Sequence, residues 1–184
     1  MPATLLTDAG IAPVSLAEAR AYLRLDLSTE DAEVAGLVRV ATQLCEAFTG
    51  QVLLASQWRD RWPLPLAGTA RLTTGPVRAI AAVAWRTSAD DRLPLAAADW
   101  QADLDDRDGA TIRLLSAAPA TAVWLEVDYW AGLAADWNGL PEPLRLGILR
   151  LVAHLHAHRD APDDSGPPLA VAALWRPYRR MRLQ

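Results

Sequence analysis

Apolar positions in this chain recur with two different periods. Across residues 28–50, Val34, Leu37, Val38, Ala41, Leu44, Cys45 and Phe48 return at steps of three and four, the spacing that lines one face of a helix. Ser28-Thr-Glu-Asp31 offers a start, and Gly50 a stop in the left-handed conformation that closes many helices. A shorter helix is predicted just before it. Ser15-Leu-Ala-Glu18 has the form of a capping box, in which hydroxyl and carboxylate each take up a free backbone N–H, and it opens a helix through about residue 25. From Gln51 the period falls to two. Strand-like segments near 53–61, 77–86, 99–104, 110–115 and 121–130 are separated by Pro and Gly punctuation such as Gly75-Pro76 and Asp106-Arg-Asp-Gly109. The helical period returns after Pro141-Glu-Pro143, which suits a first helical turn, and Leu144, Ile148, Leu151, Val152 and Leu155 then share a face that ends near Arg159.

This order predicts an α+β fold: a helical core of three main helices, an antiparallel β region inserted between helices two and three, and an extended C-terminal arm. Residues 1–160 form the expected core domain. Residues 161–184 hold the rest of a Pro- and Asp-rich linker, a short apolar turn over 169–175, and the arm. Pro177 has no N–H to give a helix, so the last residues are expected to leave the fold.

Charge sets that arm apart. The 18 basic residues are all arginine; 14 of them precede residue 176 against 22 carboxylates, while residues 176–184 carry four arginines and no acid. The tail mixes Leu174, Trp175, Tyr178 and Met181 with Pro177, Arg176, Arg179, Arg180 and Arg182. Aromatic and arginine side chains are the types that carry most binding energy at protein interfaces, because each joins a large contact area to a polar handle. Eight tryptophans against one phenylalanine extend the argument to the body, where several are expected to face a partner. The lone Cys45 cannot form an internal bridge, the N-terminus has neither a basic region nor a long apolar run, and no stretch approaches a membrane span, so a soluble protein from a reducing compartment is expected.

Candidate chemistry is sparse. His154 and His158 share a helical face at the spacing of some zinc sites, but a third ligand would have to come from Asp160, Asp163 or Asp164, and a histidine-bearing helix end explains them as well. Asp103, Asp105, Asp106 and Asp108 before Gly109 fail as a calcium loop, since Leu104 and Leu115 fall where the end ligands belong; a hairpin turn accounts for the same residues. Cys45 lies on an apolar helix stripe and reads as core. Glu126 and Asp128 alternate on one strand, so both point to one side roughly 6 to 7 Å apart, with Trp124 and Trp130 beside them. That is the pattern of a glycan hydrolase pair, and equally of a half-exposed sheet face at a subunit contact; the second reading is preferred. Four arginines on an acidic body, with no nucleic-acid reading motif, give little support to a DNA-binding module.

Taken in order, Val14-Ser-Leu-Ala-Glu-Ala-Arg-Ala-Tyr-Leu-Arg-Leu-Asp26, Asp31-Ala-Glu-Val, Cys45-Glu-Ala-Phe-Thr-Gly50, the strand with Trp58, the stretch from Leu72 to Val77 with Gly75-Pro76, Val127-Asp-Tyr-Trp-Ala-Gly132, Leu140-Pro-Glu-Pro-Leu-Arg, Leu151-Val-Ala-His-Leu-His-Ala-His-Arg159 and Leu174-Trp-Arg-Pro-Tyr-Arg-Arg resemble the gp6-like head-tail connector (adaptor) family of tailed phages, prophages and gene transfer agents. The likeness spans nearly the whole chain. It implies a structural protein and no enzyme: a homo-oligomeric ring, dodecameric on the portal, that extends the DNA channel and joins the head to the next neck or stopper protein. It implies no cofactor and no membrane, DNA passing without sequence-specific contact, assembly in the bacterial cytoplasm, and a final place in the neck of the particle. The family's portal-reaching segment maps onto Leu174, Trp175, Arg176, Pro177, Tyr178, Arg179, Arg180, Met181 and Arg182. An acidic channel wall would let DNA pass without sticking.

Overall fold

The computed structural model of the chain describes residues 3–25, 28–66, 68–105, 109–158 and 166–180. It divides into two compact units, each drawn from two stretches of sequence: Met1–Ala9 with Ala55–Leu133, and Gly10–Leu54 with Ala134–Gln184.

Among its described residues the first unit is built of β-strands, with one 3₁₀ turn at Ala97–Asp99. Its larger sheet holds β1 (Thr4–Thr7), β2 (Ser56–Pro63), β4 (Val77–Thr87), β5 (Arg92–Pro94) and β8 (Ala122–Ala131), in the order β1-β2-β8-β4-β5, every pair antiparallel. The smaller sheet holds β3 (Ala70–Arg71), β6 (Trp100–Asp105) and β7 (Gly109–Leu114), ordered β3-β7-β6. Strand alternation decides what lies between them. Leu125, Val127 and Tyr129 of β8 join Val83 and Trp85 of β4 on one face and pack against Ala70, Leu72, Ala110 and Ile112. Each large side chain buried in this way contributes roughly 1.5–3 kcal/mol. Glu126 and Asp128, one residue out of phase, take the opposite face.

One carboxylate does enter the core. Asp60 of β2, 1% exposed, accepts hydrogen bonds from Thr73 N–H at 2.7 Å, from the Thr73 hydroxyl at 3.0 Å and from the Tyr129 hydroxyl at 3.3 Å. Burial pushes its carboxyl above the usual range, while those donors pull it part of the way back. Burial, with the Asp60 charge next to it, likewise raises the Tyr129 phenol to about 12.

The second unit is helical: α1 (Leu16–Leu23), α2 (Asp31–Thr49), α3 (Glu142–Ala157) and α4 (Leu169–Trp175). Ser15 caps α1 by accepting from Glu18 N–H at 3.2 Å, but the Glu18 carboxylate goes to Arg145 at 3.2 Å, so an ion pair to α3 takes the place of the returning half of the predicted box. Arg145 also lies 3.6 Å from the centre of the Trp137 ring, a cation–π contact. Val34, Val38, Ala41 and Cys45 form the buried stripe of α2, and Gly50, at φ +68°, ends it with its N–H on Glu46 O at 2.8 Å. Leu44 belongs to the predicted stripe yet is 37% exposed, with Val40 exposed close by. Pro143 lies in the first turn of α3, whose buried residues are Leu144, Gly147, Ile148, Leu149, Leu151 and Val152.

Two expectations of arrangement change. The short apolar turn over 169–175 is a fourth helix, because Val171, Ala172 and Trp175 recur at steps that bury one face. The β region, which forms two sheets, is not confined to the stretch between helices two and three: it recruits β1 from before the first helix through pairs such as Leu5 with Trp58. The expected boundary at residue 160 lies outside the described residues.

Candidate functional site

Two regions carry the predicted site residues, one in each unit. In the helical unit, the C-terminal segment begins as core. Trp175 is fully buried; its Nε1–H donates to Leu144 O at 3.4 Å and its ring centre lies 5.8 Å from that of Phe48. The indole, which the resemblance places in the portal-reaching segment, is seated against α3, where its burial removes a large apolar surface from water. Leu174 is half-buried. Arg176–Tyr178 makes one 3₁₀ turn, the tight turn that Pro177 permits. Beyond it the backbone remains tied down, for Tyr178 O accepts from Gln51 Nε2, and Arg180 N–H donates to Thr49 O at 2.8 Å. Arg176, Pro177 and Arg179 are exposed, with the Arg179 guanidinium 5.7 Å from the centre of the Phe48 ring. Met181 and Arg182 lie outside the described residues.

In the β unit, the outer face of the larger sheet concentrates charge. Pairing places Arg61 directly opposite Glu126 and Arg59 directly opposite Asp128, with Arg86 of β4 opposite Trp124 and Arg92 of β5 opposite Arg86. Glu126, with no exposed surface, takes Arg61 Nε at 2.7 Å, Arg86 Nε at 3.1 Å and Arg92 Nε at 3.3 Å. Asp128, 5% exposed, takes Arg59 through Nε at 2.6 Å and Nη2 at 2.8 Å, and Arg92 Nη2 at 2.7 Å. Burial alone would raise the Asp128 carboxyl; the hydrogen bonds and charge of Arg59, then Arg92, outweigh it and hold the group below the usual carboxylate range. Arg59 is raised in return, first through its hydrogen bond to Asp128. Trp124 is half-buried and Trp130 38% exposed on the same face.

This geometry is not that of a sugar-cleaving pair. A glycosidase acid must hold a proton near neutral pH and must reach the substrate. Here Glu126, the residue left to be the acid, has no exposed surface, and both carboxylates are already occupied by guanidinium groups. The four arginines went unnoticed in the sequence, although the signal was present: Arg59 and Arg61 alternate as Glu126 and Asp128 do, so two strands with opposite charges at the same period were available to pair.

The remaining candidates carry no chemistry that can be built up further. His156 Nε2 lies 2.9 Å from Glu30 Oε2, while the rings of His154 and His158 lie 4.4 Å apart. Among the described residues no three His, Cys, Asp or Glu side chains are grouped to hold a metal. Asp106 and Asp108 fall outside the described residues. Burial, with the Glu46 charge beside it, pushes the Cys45 thiol well above its ordinary value and so disfavours the thiolate that a nucleophile needs.

No protein-family profile and no curated protein matches the chain. Solved structures do. A chain in the neck of an empty GTA particle computed with C6 symmetry is similar over 100% of this chain and 98% of its own, at 26% identity and TM-score 0.82. A chain in the virion of a native gene transfer agent (GTA) particle matches with the same coverage, at 25% identity and TM-score 0.81. A third, from the neck of a native GTA particle computed with C12 symmetry, shares the fold at TM-score 0.75 and 23% identity.

Proposed function

We propose that this chain is a structural connector in the neck of a phage-like particle of the gene transfer agent type, without enzymatic activity. The observation that carries the reading is the end-to-end agreement with a neck chain, 100% of one and 98% of the other at TM-score 0.82. The symmetric particles from which these neighbours come support an oligomeric ring, and among the described residues no helix is long and apolar enough to cross a membrane. In the finer form of the proposal the ring is dodecameric and lies beneath the portal, lines the DNA channel, and offers its far side to the next neck or stopper protein.

The contact with the portal is assigned to the C-terminal segment, with one revision that the packing requires. Leu174 and Trp175 anchor the segment; Arg176, Pro177, Tyr178, Arg179 and Arg180, continuing into Met181 and Arg182, present it. Many copies in one ring multiply a modest contact into firm attachment. Removing the protein from particle-producing cells tests the function: DNA-filled heads that lack tails are expected, whereas complete particles at the normal yield would refute the connector role.

A further inference from the structure

The charged face of the larger sheet is out of balance. Four guanidinium groups from three strands, Arg59, Arg61, Arg86 and Arg92, surround two buried carboxylates, with the exposed Asp90 3.5 Å from Arg86, a surplus of one positive charge. The chain as a whole is −4, so everything outside this cluster sums to −5. The surplus is also directed outward. The buried carboxylates are at the bottom of the cluster, Glu126 with none of its side chain exposed and Asp128 with 7%, while Arg61 is 47% and Arg92 33% exposed at the side chain. Glu126 holds Arg61 through Nε, at 2.7 Å, so the guanidinium is fixed in place while its outer edge is turned to solvent. A charge held in place before contact loses little side-chain freedom when a partner arrives.

We propose that this face is a contact between neighbouring copies of the chain, on which Arg61 and Arg92 receive an acidic surface of the next copy. The inference rests on the ring reading above. Cyclic symmetry brings two different surfaces of the same chain together at every contact, and a cationic face on a protein whose remainder is acidic supplies two such complementary surfaces. The exposed edge of Trp130, beside the cluster, adds the aromatic contact area typical of interface centres. Duplex nucleic acid, the competing polyanion, is distinguished from an acidic protein surface by a gel shift.

The test compares wild type, the double variant R61Q/R92Q and the charge-keeping R61K/R92K, all checked for native circular dichroism, with two readouts. The first is sedimentation of the purified protein alone at high concentration across a salt series. Self-association of the wild type is expected to weaken with salt, to fall about tenfold in R61Q/R92Q and to return in R61K/R92K. The second is electron microscopy on the cognate portal, where R61Q/R92Q is expected to bind as separate subunits or open arcs instead of closed rings. Closed rings and unchanged self-association in R61Q/R92Q would overturn the proposal, as would a gel shift of duplex DNA that requires Arg61 and Arg92. Wild-type protein that never binds the portal would count against the connector role, and the sedimentation series would still decide the face.

Discussion

Trp175 occupies the space that a side chain at Gly147 would need. A Cβ at that position would stand 2.1 Å from the indole Nε1 and 2.8 Å from two ring carbons, so the absence of a side chain on α3 is what lets α4 close against it. Gly147→Ala is therefore expected to destabilise the helical unit by about 1–3 kcal/mol, as overpacking does. Trp175→Ala should cost about 3–5 kcal/mol, as removal of a large buried aromatic does. Because both changes act at one contact, the double variant should lose less than the two separate losses combined. Urea denaturation midpoints of the three variants check this, and simple additivity would show that the contact is not shared.

The same packing revises how the C-terminal segment should be probed. Deleting residues 174–184 removes Trp175 along with the cationic residues, so that deletion is expected to unfold the helical unit and to say nothing about the portal. Arg176→Ala and Arg179→Ala act at exposed side chains and should change stability by no more than about 0.5 kcal/mol. Their effect should appear in portal binding. Thermal melts alongside a portal pull-down distinguish the two.

Within the sheet-face cluster, depth should rank the substitutions. Glu126→Ala leaves Arg61, Arg86 and Arg92 without the buried charge that they share, which costs about 3–5 kcal/mol in comparable cases. Arg61→Ala, with its side chain about half exposed, should cost less than about 1 kcal/mol. Chemical denaturation that found the two equal would show that Glu126 is not the centre of the cluster.

Asp128 gives this cluster a pH dependence of known sign. Its carboxyl is held below the ordinary value in the folded protein, so its contribution is fully present above the ordinary aspartate pKa of about 3.9 and is lost as the pH falls through the lower, folded value. Asp128→Asn should be less stable than wild type at pH 7, and the gap should close as the pH drops below about 4. Denaturation midpoints across that range test it; a constant gap would mean that the charge of Asp128 is not what stabilises the fold.

Much of this architecture was legible in the sequence because strong periodicity marks long elements. α2 and α3 follow from three- and four-residue spacing, and β8 from the alternation of Leu125, Val127 and Tyr129 with Glu126 and Asp128. What escaped was short or depended on distant partners. β1, β3 and β5 span only a few residues each and exist because a neighbour completes their hydrogen bonds. Trp175 has the composition of an interface residue, and only the gap at Gly147, 28 positions earlier, makes it core. For the charged face, the sequence gives Glu126 and Asp128 as a pair, but their chemistry is set by register: pairing β2 with β8 one residue out of step would have turned Arg59 and Arg61 to the other side.

Electron microscopy of the purified protein mixed with its cognate portal tests the connector role most directly, with the Arg176→Ala/Arg179→Ala variant as control. Closed rings seated on wild-type portals, and portals left bare by the variant, are the expected result. Portals that stay bare with folded wild-type protein would contradict the account.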